Sequence, residues 1–149
     1  MMEQIIISMK EKDFKQIQNG ERHFEYRKSF KKFEGCIKAY IYVDQPVAKI
    51  YSYVILQEGI YDSISNILNK IVSKDQPAMV DEVRDCLQGQ DKNEKFGIAL
   101  PIAQYKEFKP QDLSFLQRRF AFQPSETWVE AEDLPELFGY LSNISVGAY

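Results

Sequence analysis

Two strand-like runs follow one another in the chain with only a short turn between them. In residues 37–43 apolar side chains occupy every second position, and residues 48–56 form the second run. The turn consists of Asp44, Gln45 and Pro46, which are residue types that favour turns. Strict alternation is typical of a strand with one face directed inward. Consecutive strands favour a small β-barrel over a doubly wound sheet, in which helices separate the strands.

The remaining pattern adds helices to these strands within a length that suits one domain. The chain has 149 residues, enough to bury a sizeable core, and we treat residues 1–149 as a single domain. Further predicted strands cover residues 5–9, 23–28, 96–103 and 127–129. Predicted helices cover residues 11–19, 64–71, 77–88, 113–120 and 134–141. The fold class that follows is α+β, a small β-barrel with flanking helices.

The composition excludes several classes of site. One His and the two cysteines, Cys36 and Cys86, cannot supply a zinc cluster of His and Cys ligands, and we expect no metal. The seven glycines are scattered and form no phosphate loop, so no cofactor is expected. No stretch of about 18 apolar residues is present, so we expect no membrane span. We therefore expect a soluble cytoplasmic protein in which both cysteines are reduced and inert.

Charge is distributed unevenly along the chain, although the net charge is only −3. Residues 21–38 contain six basic and three acidic side chains, whereas residues 120–149 contain five acids and no Lys or Arg. A basic patch attracts phosphate, but an ordinary solvated loop explains the same composition. The acidic end raises a further alternative, a module that binds another protein through this tail.

One short segment concentrates polar side chains on a predicted strand directly after a helix end. Glu25 and Arg27 are two positions apart, so they share one face of the strand, while Phe24 and Tyr26 face the core. If the polar face lines a cleft, the carboxylate accepts hydrogen bonds and the guanidinium donates a fork of them. Such a pair suits a nucleobase edge, a ribose or a phosphate. The alternative is a surface pair that stabilises the fold by less than about 1 kcal/mol.

This segment resembles the signature of the ASCH domain, a branch of the PUA-like superfamily. The signature is roughly G-x-K-x-x-E-x-R after a strand and a helix, and the matching residues here are Gly20, Arg22, Glu25 and Arg27. Residues 6–10, which end in Lys10, resemble the opening strand of the family. Residues 38–47, 96–100 and 108–125 are similar to its later blocks, so the resemblance covers about residues 5–130.

The resemblance implies a PUA-like β-barrel with flanking helices and a ligand cleft. It also implies binding of RNA or of a nucleotide-like small molecule, in some members with a regulatory role. On this motif the predicted ligand-binding residues are Lys10, Arg22, Glu25 and Arg27. Aromatic side chains favour the same function, because Tyr40 and Tyr42 share a strand face with Lys38 and would present a surface for base stacking.

An enzymatic alternative comes from small relatives that hydrolyse N4-acetylcytidine to cytidine. The resemblance implies a Lys, a Thr and a Glu as the catalytic residues of those relatives. Here Arg22 stands in place of the Lys and Glu25 in place of the Thr, and the third residue has no assigned position. Arginine keeps its proton at neutral pH, so Arg22 is a poor general base. An amidohydrolase that acts on acylated nucleosides therefore stays as the alternative function.

Overall fold

The computed structural model describes residues 2–89, 91 and 93–146 as a mixed α+β fold. The strands are β1 (Glu3–Met9), β2 (Phe24–Arg27), β3 (Cys36–Val43), β4 (Lys49–Gln57), β5 (Ile60–Ser63), β6 (Phe96–Asp112) and β7 (Val129–Glu130). The helices are α1 (Glu11–Gln18), α2 (Ile64–Ile67), α3 (Ser73–Asp75), α4 (Val80–Gln88), α5 (Leu113–Phe120) and α6 (Pro135–Ser145). A π-helical turn (Leu68–Val72) joins α2 to α3.

The seven strands form one open sheet instead of the closed barrel that the sequence predicts. Its order is β2-β6-β4-β3-β1-β7, and β5 also pairs with β6. Of the described strand pairs, β1 with β3 is parallel and the others are antiparallel. The barrel prediction is wrong because β2 has four residues and β7 has two, and no ladder joins β2 to β1 in the described part of the chain.

Helices cover both faces of the central strands. On the inner face, the apolar residues of β1 and β3 pack with Phe14 of α1. On the outer face, Ile6 and Tyr40 pack with Leu137 of α6. A third cluster joins Tyr26 of β2 to helices α2 and α4. The apolar side chains in the middle of β1 and β3 are therefore buried on both faces of the sheet.

The stacking surface predicted on β3 is wrong. Tyr40 and Tyr42 are only 0% and 3% exposed, because α6 and the segment after α5 pack over them. Lys38, which is on the same face, lies over the ring of Tyr53 at 4.3 Å and donates to the Ser145 hydroxyl at 3.4 Å. An alternating pattern predicts the face of each side chain, but not whether a later helix covers that face.

The elements around the ASCH-like motif follow the prediction closely. Helix α1 ends at Gln18, and Gly20 adopts a left-handed φ of 75°, a conformation that favours glycine. The chain then turns into β2, where Phe24 and Tyr26 contact the third cluster. Glu25 and Arg27 lie on the opposite face, so the predicted register of this strand is confirmed.

Strand β6 differs most from the prediction. It continues to Asp112, well beyond the predicted end at residue 103, and it pairs with β2, β4 and β5. Its register against β4 shifts where Leu56 pairs with Ile102, directly after Pro101, and proline within a sheet is typical of such irregularities. Strand β5 is absent from the sequence prediction.

Helix α5 has the bounds that the sequence predicts, Leu113–Phe120. The Asp112 carboxylate accepts a hydrogen bond from the Phe115 N–H at 2.8 Å, which satisfies a free donor of the first turn. Helix α6 extends to Ser145, beyond the predicted end at residue 141. Among the helices described here, none is long and apolar enough to cross a membrane.

Candidate ligand-binding cavity

A polar cavity of about 550 Å³ lies at the gap between β1 and β2. Its walls come from the end of β1, from β2 with the residues that follow it, and from residues 124–127. Asp13 of α1, Asp44 after β3 and Cys86 of α4 also line it. The cavity therefore occupies the place where the sheet does not close.

Side chains cap the backbone groups at both edges of this gap. On β2, the Tyr26 N–H donates to Glu25 Oε1 at 3.1 Å, and the Tyr26 carbonyl is 3.7 Å from the Cys86 sulfur. On β1, the Ser8 carbonyl accepts a hydrogen bond from Arg27 Nη2 at 2.8 Å. Buried backbone groups need hydrogen-bond partners. At this gap the hydrogen bonds that a neighbouring strand would supply come instead from the side chains of Glu25, Arg27 and Cys86.

Glu25 and Arg27 form a buried ion pair on one wall of the cavity. Glu25 Oε2 and Arg27 Nη2 are 3.3 Å apart, and the two side chains are only 5% and 14% exposed. Arg27 Nη1 also donates to the Thr127 carbonyl at 3.3 Å, which holds residues 124–127 against β2. This burial excludes the exposed surface pair that the sequence left as an alternative.

Arg22 lies behind the cavity and is not part of its lining. Its side chain is 2% exposed, with Nη2 3.3 Å from Asp13 Oδ1 and Nη1 3.9 Å from Glu25 Oε1. The guanidinium also lies over the Tyr26 ring, 5.5 Å from its centroid. Arg22 is therefore placed to orient the Asp13 and Glu25 carboxylates, which do line the cavity.

Lys10 and Asp44 line the cavity near the end of β1. Lys10 is exposed, whereas Asp44 is half-buried. The Asp44 N–H donates to the Met9 carbonyl at 2.9 Å, which holds the turn after β3 beside β1. Burial raises the pKa of the Asp44 carboxyl above its ordinary value, and the positive charges of Lys10 and Arg27 offset part of that rise.

Cys86 lies on the cavity wall in surroundings that disfavour its thiolate. It touches solvent, yet the surrounding protein desolvates the sulfur, and this burial raises the pKa of Cys86 to about 11. The nearby carboxylates of Glu25 and Asp13 act in the same direction. A thiol with this pKa carries almost no thiolate at neutral pH, so the geometry does not favour a nucleophile here.

The other sequence candidates for chemistry lie outside the cavity lining. Cys36 is the first residue of β3, and His23 precedes β2 with its ring 68% exposed at the side-chain level. The His23 ring contacts the carboxylate of Asp75 at the end of α3, which also accepts the His23 N–H at 3.2 Å. His23 therefore joins the helical segment to the start of β2.

Ion pairs neutralise much of the basic loop after β2. Lys31 Nζ is 2.6 Å from carboxylate oxygens of both Glu3 and Glu130, and Lys28 Nζ is 3.7 Å from Glu94. Lys31 thus links the loop to β1 and β7, and its side chain is only 16% exposed. Lys28 lines the cavity and Lys32 is exposed, so these two remain open to a phosphate.

Of the four residues that the motif singles out, three line the cavity. Lys10, Glu25 and Arg27 do so, and Arg22 does not. Sequence reasoning missed Asp13, Asp44 and Cys86, because they belong to separate elements that only the folded chain brings together, and no local pattern marks them. Across the described ranges, no group of His, Cys, Asp and Glu side chains is arranged to hold a metal ion.

The fold around this cavity is that of a solved ASCH protein. The crystal structure of ASCH from Zymomonas mobilis matches with a TM-score of 0.72 at 19% identity, covering 86% of this chain and 87% of that chain. Two single-substitution variants of that protein match at 17% identity, with TM-scores of 0.72 and 0.73. The ASCH-like fold implied by the motif is thereby confirmed. A scan against family models gives no match, and a search of curated proteins gives none.

Proposed function

We propose that this protein is a binding module that takes a nucleotide unit, either free or within RNA, in the cavity between β1 and β2. The observation that carries the proposal is the mixed set of charges on the cavity wall. Lys10, Arg27 and Lys28 are potential donors to a ligand, and the carboxylates of Asp13, Glu25, Asp44 and Glu126 are potential acceptors. The volume of about 550 Å³ lies within the range of small-molecule sites. A nucleotide supplies the complementary donors together with a negative charge.

The charged side chains of the cavity differ in how deeply they are buried, and this difference supports one orientation of the ligand. Glu25 and Arg27 are almost fully buried, whereas Lys10 is exposed and Lys28 is 50% exposed at the side-chain level. Flexible lysines near solvent suit a phosphate, and a buried polar wall suits directional hydrogen bonds. In this orientation the phosphate lies near Lys10 and Lys28, and the base or ribose meets Glu25.

Amide hydrolysis has less support from the geometry. Both oxygens of the Glu25 carboxylate already accept hydrogen bonds, one from the Tyr26 N–H and one from Arg27. Oxygens that already accept hydrogen bonds within the fold are poorly placed to take a proton from a water molecule. Arg22 is buried and is not part of the cavity lining, so it does not replace a catalytic lysine. We expect no release of cytidine from N4-acetylcytidine, and steady turnover that Glu25→Gln abolishes would establish the hydrolase instead.

The acidic tail has less support as a protein-binding surface. Glu130 accepts a hydrogen bond from the Trp128 ring N–H at 3.0 Å and pairs with Lys31 at 2.6 Å. Part of the acidic charge is therefore used within the fold. The protein-interaction hypothesis predicts that neutralising the exposed acids Glu132, Asp133 and Glu136 removes function, whereas the cavity proposal predicts that nucleotide binding survives these changes.

Isothermal titration calorimetry with the ribonucleoside 5′-monophosphates tests the cavity proposal. The wild type should bind at least one of them, and Lys10→Ala and Asp13→Asn should each weaken that binding by about 10-fold, as expected for one charge-assisted hydrogen bond. Lys12→Ala is the matched control, because Lys12 lies on α1, is 71% exposed and is not part of the lining. Absence of binding, or an equal effect of Lys12→Ala, would contradict the proposal.

A further inference from the structure

Asp44 lines the cavity with a side chain that takes no part in the turn that begins there. Its N–H donates to the Met9 carbonyl at 2.9 Å, and its carbonyl accepts from the N–H groups of Val47 and Ala48 at 3.2 Å and 3.4 Å. An aspartate at the start of a turn commonly bonds through its carboxylate to the backbone two residues later. Here the backbone carbonyl holds the turn instead, so the turn does not require the carboxylate.

Within the described part of the chain, neither oxygen of the Asp44 carboxylate has a donor within hydrogen-bond distance. The side chain is nevertheless half-buried, and this desolvation raises the pKa of the carboxyl. A partly buried carboxylate without hydrogen bonds lowers the stability of the fold, and proteins keep such residues mainly where function needs them. Asp44 therefore offers the cavity two open acceptor oxygens.

Asp44 and Lys10 lie next to each other at the ends of two neighbouring strands. Met9 of β1 and Val43 of β3 are paired in parallel register, and Lys10 and Asp44 are the residues that directly follow them. Lys10 and Lys28 mark the end of the cavity at which the proposed orientation places the phosphate. The ribose of a nucleotide is bonded directly to the phosphate. A phosphate at Lys10 therefore brings the sugar next to Asp44.

The chemistry of a nucleotide favours the sugar hydroxyls as the partners of Asp44. An ionised carboxylate accepts hydrogen bonds and donates none, so it repels phosphate oxygens and needs a donor from the ligand. The 2′- and 3′-hydroxyls of a ribose are two adjacent donors, which suit the two oxygens of one carboxylate. Base amino groups also donate, but in this orientation the base lies farther from the phosphate, beside Glu25.

We propose that Asp44 selects ribonucleotides over deoxyribonucleotides, because its carboxylate accepts hydrogen bonds from the 2′- and 3′-hydroxyls of the ribose. This inference rests on the proposed function and deepens it, with the phosphate near Lys10 and Lys28, the ribose at Asp44 and the base at Glu25. The 2′-hydroxyl is the group that distinguishes RNA from DNA. A site built around a hydroxyl discriminates against an analogue that lacks it, because the desolvated acceptor is then left without a partner.

Isothermal titration calorimetry with nucleoside 5′-monophosphates that carry ribose, 2′-deoxyribose or 2′,3′-dideoxyribose tests the role of Asp44. For the wild type, each missing hydroxyl should weaken binding by about 10-fold, the effect of one charge-assisted hydrogen bond. Asp44→Ala should weaken binding of the ribonucleotide and bring the three sugars to the same affinity. Asp44→Asn keeps the shape of the side chain without its charge and should reduce the preference for ribose. Both variants remove a half-buried charge that has no hydrogen bond, so we expect both to fold.

Two other carboxylates provide matched controls. Asp13→Asn changes another acceptor of the same cavity and should weaken binding of all three sugars by the same factor, so the preference for ribose is kept. Asp81→Asn removes a carboxylate that is 94% exposed and outside the lining, and it should leave every affinity unchanged. The ratio between the sugars is the decisive readout, because a general loss of structure or charge weakens binding of all three alike.

The outcomes separate this inference from the proposed function. If ribonucleotides bind but the wild type binds their deoxy counterparts equally well, the role of Asp44 is refuted and the cavity proposal stands. A preference for ribose that persists in Asp44→Ala, or that Asp13→Asn abolishes equally, also refutes the specific role of Asp44. A preference that is lost in Asp44→Ala and kept in Asp13→Asn supports it. If no monophosphate binds, the cavity proposal fails and this inference fails with it.

Discussion

The Arg27 guanidinium donates a hydrogen bond to the Ser8 carbonyl at 2.8 Å and so joins β2 to β1 where the described sheet has no backbone ladder. The same guanidinium pairs with Glu25 and holds the Thr127 carbonyl. One side chain therefore bridges the open side of the sheet and forms part of the cavity wall. Arg27 therefore contributes to stability, and on the cavity proposal the same residue also contacts the ligand.

Arg27→Ala should lower the free energy of unfolding by about 3 kcal/mol, because it removes the nearer of the two guanidinium groups that pair with the buried Glu25 carboxylate and leaves Arg22 at 3.9 Å as its remaining partner. Urea unfolding followed by circular dichroism measures the change. Adding Glu25→Gln should recover part of the loss, since a neutral amide costs less to bury than a charge. Lys28→Ala, with a half-exposed ion pair, should cost less than about 1 kcal/mol. An Arg27→Ala variant as stable as the wild type would contradict the bridging role.

Asp44 should give the stability of the fold a pH dependence. Burial raises the pKa of Asp44 above its ordinary value of 3.8, so the folded chain binds the proton more tightly than the unfolded chain does. The stability from Asp44 is therefore complete below pH 3.8 and is lost as the pH rises through the raised pKa. The Asp44→Asn variant cannot ionise at this position and does not lose this stability. The free energy of unfolding of the variant minus that of the wild type should therefore increase from about pH 4 to about pH 7. A difference that is independent of pH in thermal unfolding would contradict this assignment.

The parts of the site that the sequence predicts depend on local periodicity. The faces of Glu25 and Arg27 follow from alternation within β2, and the turn before β2 follows from Gly20 after α1. The missed parts depend on contacts between distant positions. The Tyr40 hydroxyl lies 3.3 Å from the hydroxyl of Ser142 in α6, 102 positions later in the chain. No pattern within β3 predicts that α6 covers this face of the strand.

The wrong barrel prediction and the missed cavity residues also come from contacts between distant parts of the chain. A sheet closes into a barrel only if the strands at its two edges are long enough to pair with each other. Here the edge strands are β2 and β7, and they are so short that alternation in the sequence does not predict whether they pair. Asp13 and Asp44 come together because β1 and β3 lie parallel and adjacent, a pairing of residues more than thirty positions apart. Only a resemblance over the whole chain indicates such an arrangement from the sequence.

Cys86 offers a chemical reporter of the cavity. Because its pKa is raised from 9.0 to about 11, alkylation by iodoacetamide at about pH 8 should be about 100-fold slower than in the unfolded chain. A Cys36→Ser background leaves Cys86 as the one thiol to follow. A saturating mononucleotide should slow the reaction further, because Cys86 lines the cavity. Alkylation at the unfolded rate would show that the thiol is not desolvated.

Lys28 and Lys32 should carry the salt dependence of RNA binding, and Lys31 should not. Each phosphate contact releases counterions, so Lys28→Ala and Lys32→Ala should each reduce the slope of log Kd against log salt by about 1. Lys31→Ala should leave the slope unchanged and lower the stability instead, because it breaks the contacts with Glu3 and Glu130. A slope that decreases only in Lys31→Ala would mean that the ion pairs of the loop open on binding.

Chemical-shift mapping of the isotope-labelled protein during titration with ribonucleoside 5′-monophosphates tests the cavity proposal most directly. We expect the amides of Lys10, Asp44, β2 and residues 124–127 to shift together in a saturable way, because these segments surround the cavity. The amides of α5 and α6, which contribute no residue to the lining, should stay in place. Saturable shifts confined to α5 and α6, or no shifts with any of the monophosphates, would contradict the account.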